Sequence, residues 1–115
     1  AAGELKHGPI ALIEPGQPVF IVVPGPDTPN ELHKKVVSNI QEIRARGART
    51  LVIAQEGDDE VLPFADEVIR VPHTSPLLQP LLTVVPLQVF ALELSTAKGL
   101  DVDQPRNLAK SVTVE

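Results

Sequence analysis

The chain has 115 residues, of which 43% are hydrophobic and 22% charged, a balance that fits one globular domain and excludes disordered and fibrous classes. Its formal net charge is −5, with ten Lys and Arg scattered along the sequence, so no electrostatic track exists for a phosphate backbone and no nucleic-acid partner is expected. Cys is absent, which removes disulfides, thiolate metal sites and a cysteine nucleophile together. With three Phe and neither Trp nor Tyr, Val, Leu, Ile and Ala must fill the core. That is the usual content of buried parallel strands and their covering helices, and it points to an α/β class.

The first segment, Ala1 to Ile13, contains AAGELKHGP, in which Glu4, Lys6 and His7 stand between glycines with Pro9 behind. It begins without Met and without a capped element, as expected for a piece of a longer domain. No basic region followed by an apolar run and a small-residue cleavage site opens it, so no signal peptide is read and cytoplasm is the expected location. PVFIVVP, Pro18 to Pro24, is a β-branched run between prolines and predicts a strand buried on both faces. Thr28, Pro29 and Glu31 have the spacing of a capping box. Leu32, Val36, Ile40 and Ile43 recur at helical spacing with Val37 beside them, and Gly47 supplies a left-handed stop. A helix over Thr28 to Gly47 follows.

TLVIA, Thr50 to Ala54, predicts a second strand, to be joined to the first by a right-handed crossover. QEGDDEVLPFADE is turn-rich, with one helical turn expected near Val61 to Ala65. EVIRVP, Glu67 to Pro72, alternates and ends on proline, as a third strand near an edge would. Ser75 and Pro76 open a short turn, and the main helix is expected from about Pro80, kinked at Pro86 and ended by Lys98 and Gly99. The window Leu77 to Leu94 is apolar enough to raise a membrane span. Its two Gln, Thr, Glu and two Pro, with no flanking aromatic belt, instead predict a buried helix of a soluble domain and no membrane partner. DVDQPRNLAKSVTVE is left as a tail.

No phosphate-binding glycine motif is present, neither GxGxxG nor GxxxxGK[ST]. EGDDE, Glu56 to Glu60, lacks the alternating ligands of a calcium loop, so no metal and no cofactor are expected. His33 and His73 read as partly exposed polar residues. His7, flanked by Lys6 and by Gly8-Pro9, is the candidate functional histidine, because glycine permits close approach of the backbone to a ligand and imidazole suits proton transfer near neutrality. Lys110, on the tail after Leu108 and Ala109, reads by itself as a solvent-facing lysine. Three strands and two main helices make a narrow sheet for a doubly wound domain, so part of the domain is expected to lie elsewhere.

Two blocks, GELKHGPIALI and DVDQPRNLAKSVTVE, with SNIQEIRARG and VPLQVFAL between them, closely resemble the C-terminal end of the glutamine:fructose-6-phosphate aminotransferase (isomerizing) family. The first block also resembles other sugar isomerase (SIS) domains. The resemblance implies a flavodoxin-like three-layer α/β sandwich with a parallel sheet, present here as an incomplete second SIS copy over residues 1–99, with residues 100–115 as a tail closing over a sugar-phosphate site. It further implies conversion of fructose 6-phosphate and glutamine to glucosamine 6-phosphate and glutamate, an upstream SIS copy and glutaminase domain as partners, and a homodimer.

Carried over by position, the resemblance gives His7 acid-base opening of the sugar ring in the neighbouring subunit's site. Lys110 becomes a Schiff-base former with the C2 carbonyl, and Ala109 helps to hold the substrate. An amine acts so only when deprotonated, which burial or a nearby cation would favour. Glu4 and Lys6 are left to shape the loop or tune His7. The family's proton-abstracting glutamate and phosphate-binding loop lie outside this sequence, so the 115-residue chain alone is expected to be inactive. The alternative from a different class is a stand-alone SIS module that binds a sugar phosphate or dimerises without catalysis.

Overall fold

The computed structural model describes residues 2–104 and residue 106. Strands β1 (Pro18–Val22), β2 (Arg49–Gln55) and β3 (Glu67–Val71) form one parallel sheet in the order β1-β2-β3, with Val19 beside Thr50 and Ile53 beside Ile69. Helix α1 (Leu32–Arg44) joins β1 to β2, and α2 (Gln79–Ala97) follows β3. Short 3₁₀ turns occupy Ala2–His7, Pro9–Leu12 and Asp59–Phe64.

Because side chains alternate along a strand, β2 sends Thr50, Val52 and Ala54 to one face and Leu51, Ile53 and Gln55 to the other. The first face meets Val36, Val37, Ile40 and Ile43 of α1, with Ile21, Val23 and Val61, in one buried cluster. The second face carries α2, where the rings of Phe20 and Phe90 meet with centroids 4.5 Å apart. The expected strands and helices are therefore present, as an incomplete α/β sandwich.

The capping box at Thr28 does not form. Thr28 donates its main-chain N–H to the Gly25 carbonyl at 3.0 Å, and its hydroxyl oxygen is buried with no partner among the described residues. The turn thus carries that hydroxyl away from the amides it was expected to cap. Asn30 and Glu31 adopt left-handed backbone, at φ 65° and 54°, and the helix starts only at Leu32 with no side-chain cap. At the other end of the chain the expected stop holds. Gly99, at φ 68°, donates to the Thr96 carbonyl and Leu100 to that of Ser95, both at 2.9 Å, the paired bonds of a Schellman motif.

A polar knot fixes the connection between β2 and β3. Thr50 donates its main-chain N–H to Asp66 Oδ2 at 2.7 Å, and its hydroxyl lies 3.0 Å from the same oxygen. The Thr50 amide bond, then the hydroxyl contact, holds the Asp66 carboxyl below the usual carboxylate range, with Arg44 and Arg49 adding to the effect. A lowered folded pKa contributes stability above the unfolded value of about 4 and loses it as pH falls through the folded one. Asp66→Asn should therefore unfold at lower urea than the parent at pH 7, with the gap closing below about pH 4. A gap that persists unchanged into acid would refute this role for the carboxylate.

Candidate functional site

Glu4, Lys6 and His7 lie on the 3₁₀ turn Ala2–His7, and all three are exposed. Leu5 anchors the turn by packing on the α1 cluster, which leaves its neighbours facing outward. Gly8 follows at φ 155°, with nothing near the place a Cβ would occupy, so glycine is needed there for its backbone and not for space. Its carbonyl accepts from Ala11 at 3.0 Å, which starts the second turn. His7 therefore stands at a pivot between two short turns. Among the described residues its ring has no hydrogen-bond or ion-pair partner.

Ala109 and Lys110 lie outside the described residues. What precedes them is folded back. Asp101 Oδ1 accepts from the amides of Asp103 and Gln104, each at 2.9 Å. Leu100, Val102 and Arg106 face Leu92 and Ser95 of α2 across a cleft of about 600 Å³.

A second region lies at the carboxyl ends of the strands, where open α/β sheets place their ligands. Gln79, at the first turn of α2, accepts from the Gly25 amide at 2.9 Å and donates to the Val23 carbonyl at 3.1 Å, which ties α2 to the end of β1. A Cβ on Gly25 would come within 2.4 Å of Gln55 Oε1, so a larger residue there would make the end of the Gln55 side chain move. Beside the tie, Thr28, Val22, Pro24, Leu32, Pro76 and Thr83 line a cleft of about 420 Å³. It is mostly apolar, and among the described residues the Thr28 hydroxyl is its one buried side-chain polar atom without a partner.

His33 corrects the reading of a partly exposed residue. Its side chain is buried, and Nε2 lies 2.8 Å from Oδ2 of the equally buried Asp58. Nδ1 is 3.8 Å from the exposed Glu60. Arg70 donates to the Asp58 and Gln55 carbonyls at 2.6 and 3.0 Å and to Asp59 Oδ1 at 3.0 Å, which braces the same loop from β3. The sequence held the signal: His33 lies three and four residues before Val36 and Val37, on the buried stripe of α1. His73 agrees with its reading, being exposed 3.4 Å from Asp27. Among the described residues no group of three or more His, Asp or Glu is placed to hold a metal ion.

Comparison with known proteins gives one answer. The chain is 78% identical over all 115 residues to the glutamine–fructose-6-phosphate aminotransferase [isomerizing] of Leifsonia xyli subsp. xyli and 70% identical to that of Streptomyces coelicolor, and spans 19% of each relative's length. Among solved structures it matches the C-terminal domain of glucosamine-fructose-6-phosphate aminotransferase from Francisella tularensis at a TM-score of 0.78 and 35% identity, over 90% of this chain and 28% of that one. The resemblance carried by the GELKHGP and DQPRNLAKS blocks thus extends along the whole sequence. The SIS domain model matches residues 1–98, and with three parallel strands and their helices in agreement, the chain belongs to the SIS domain family.

Proposed function

We propose that these 115 residues form part of the isomerase half of a glutamine–fructose-6-phosphate aminotransferase, a cytoplasmic homodimer that makes glucosamine 6-phosphate. The observation that carries this is the 78% identity over the full chain to a relative of that name. Residues 1–99 supply the C-terminal part of the second SIS copy, and residues 100–115 serve as the closing tail. Fructose 6-phosphate is the sugar substrate, and the ammonia comes from glutamine through domains outside this sequence. No cofactor is called for.

In this reading His7 moves a proton between the ring oxygen and the anomeric hydroxyl as the sugar opens, a task suited to an imidazole working both ways near neutral pH. Its exposure on a turn anchored by Leu5 supports the assignment, because a side chain that reaches into another subunit must leave its own core. Lys110 then attacks the C2 carbonyl, and loss of water leaves an imine, while Ala109 helps to hold the substrate. Glu4 and Lys6, which precede His7 on the same turn, shape the loop or tune the histidine.

The test uses the full-length enzyme. Incubation with fructose 6-phosphate and borohydride should reduce the imine to a stable secondary amine, seen as a mass increase on the peptide that carries Lys110. The adduct should vanish in Lys110→Ala. An adduct on another lysine, or none in an enzyme that is turning over, would reject the assignment. The purified 115-residue chain should give no glucosamine 6-phosphate from fructose 6-phosphate and ammonia.

A further inference from the structure

The expectation that the apolar window near residues 77–94 is buried is not met within this chain, where only Gln79 and Thr83 of α2 are buried. Three strands are too narrow to cover a 19-residue helix that has no polar face. The turn that carries His7 is the reverse case, a polar segment held to the core by few atoms. Leu5 alone among the residues of Ala2–His7 is partly buried, and the others are exposed. Its side chain packs on the cluster between α1 and the sheet. With Ala2 it faces Val19, Phe20 and Ile43 across a cleft of about 360 Å³ along the edge of β1.

The geometry of the turn ties that contact to the histidine. A 3₁₀ helix has about three residues per turn, so side chains three apart eclipse each other. Ala2 and Leu5 therefore share the face turned to the cleft, and Glu4 and His7 share another, turned away from it. Lys6 alone separates Leu5 from His7, and at about 2 Å of rise per residue the two lie about 4 Å apart along the axis of the turn. On the far side of His7 the backbone is freer. Gly8 has φ 155° with nothing near the place of a Cβ, and the next residue along the chain that packs on the cluster is Ile13.

We propose that Leu5 is a positioning residue for His7, its seat on the cluster fixing the direction in which the imidazole leaves the core and hence the rate of the proton transfer that opens the sugar ring. The inference rests on the parent-enzyme reading above and deepens it. Leu5 is turned to the core and acts through the histidine. A general acid-base group works only within hydrogen-bond reach of the proton it moves, and a misplacement of about 1 Å costs about 100-fold in rate. Truncating the leucine to alanine removes the three carbons that hold the turn, while Gly8 on the other side of His7 resists no change of direction. Glu4 and Lys6, both exposed, make no second anchor on the core.

A double-mutant cycle in the full-length enzyme tests this. Leu5→Ala should lower kcat with fructose 6-phosphate by about 10- to 100-fold and leave KM within about twofold, as expected when only the transition state loses a group. Leu5→Met, which keeps the volume of the side chain, should retain at least about half of the parent rate. On a His7→Ala background, Leu5→Ala should cost less than about twofold, because the group through which it acts is already gone. A merely structural role predicts the same fold loss on both backgrounds, and that result would overturn the proposal while leaving the parent reading intact. Full activity in Leu5→Ala would overturn it too. Leu5→Val is read in the same cycle if L5A does not accumulate as soluble enzyme. A full-length parent that makes no glucosamine 6-phosphate would overturn the parent reading, and this proposal with it.

Discussion

Replacing His33 by leucine is expected to lower stability by about 3 kcal/mol, read as the shift in urea midpoint at unchanged slope. The cost does not come from lost volume, since leucine fills the imidazole's space. Asp58 Oδ2 has the His33 ring as its partner at 2.8 Å, while Oδ1 already lacks a donor among the described residues. Arg70 offers no rescue, because it donates to the Asp58 main-chain carbonyl and not to the carboxyl. The substitution therefore leaves a buried carboxyl with neither oxygen satisfied, the arrangement proteins tolerate least. The double variant His33→Leu, Asp58→Leu removes the orphan along with its partner and should recover most of the loss. A single-variant cost below about 0.5 kcal/mol, or a double variant worse than the sum of the singles, would show that the pair does not couple α1 to the loop after β2.

That pair marks where sequence and structure part. The three strands and two main helices were legible, since β-branched runs between prolines and the spacing of Val36, Ile40 and Ile43 depend on local chemistry. The start of α1 was not. The Thr28 spacing obeys the capping rule, but the turn back to Gly25 and the left-handed Asn30 and Glu31 answer to the packing of the end of β1 against α2. The ties from Gln79 to Gly25 and Val23 span more than fifty residues, and no local pattern announces them. The covering of α2 was misjudged for a related reason. An apolar sequence reports that a helix needs cover and is silent on whether the cover lies within these 115 residues. As for the site, its place between Lys6 and Gly8-Pro9 marked His7 as a candidate, whereas its role in ring opening and the roles of Lys110 and Ala109 came from resemblance alone.

Dimers mixed from His7→Ala and Lys110→Ala subunits are expected to recover activity that neither variant has by itself. In the full-length enzyme, His7→Ala should lower kcat by about 100- to 10,000-fold with fructose 6-phosphate, the usual contribution of a positioned acid-base group. In the proposed mechanism Lys110→Ala removes the nucleophile and should leave less than about 1% of the parent rate. If each site takes Lys110 from one subunit and His7 from the other, a mixed dimer holds one site with both groups intact and one with neither. Random exchange makes half of the dimers mixed, so the population should reach about a quarter of parent activity. If both groups instead come from one subunit, every site in the mixture lacks one of them, and activity stays at the level of the single variants. The exposure of His7 beside Gly8, on a turn anchored by Leu5, favours the first result. A side chain meant for its own subunit's pocket would be expected to face inward, as His33 does.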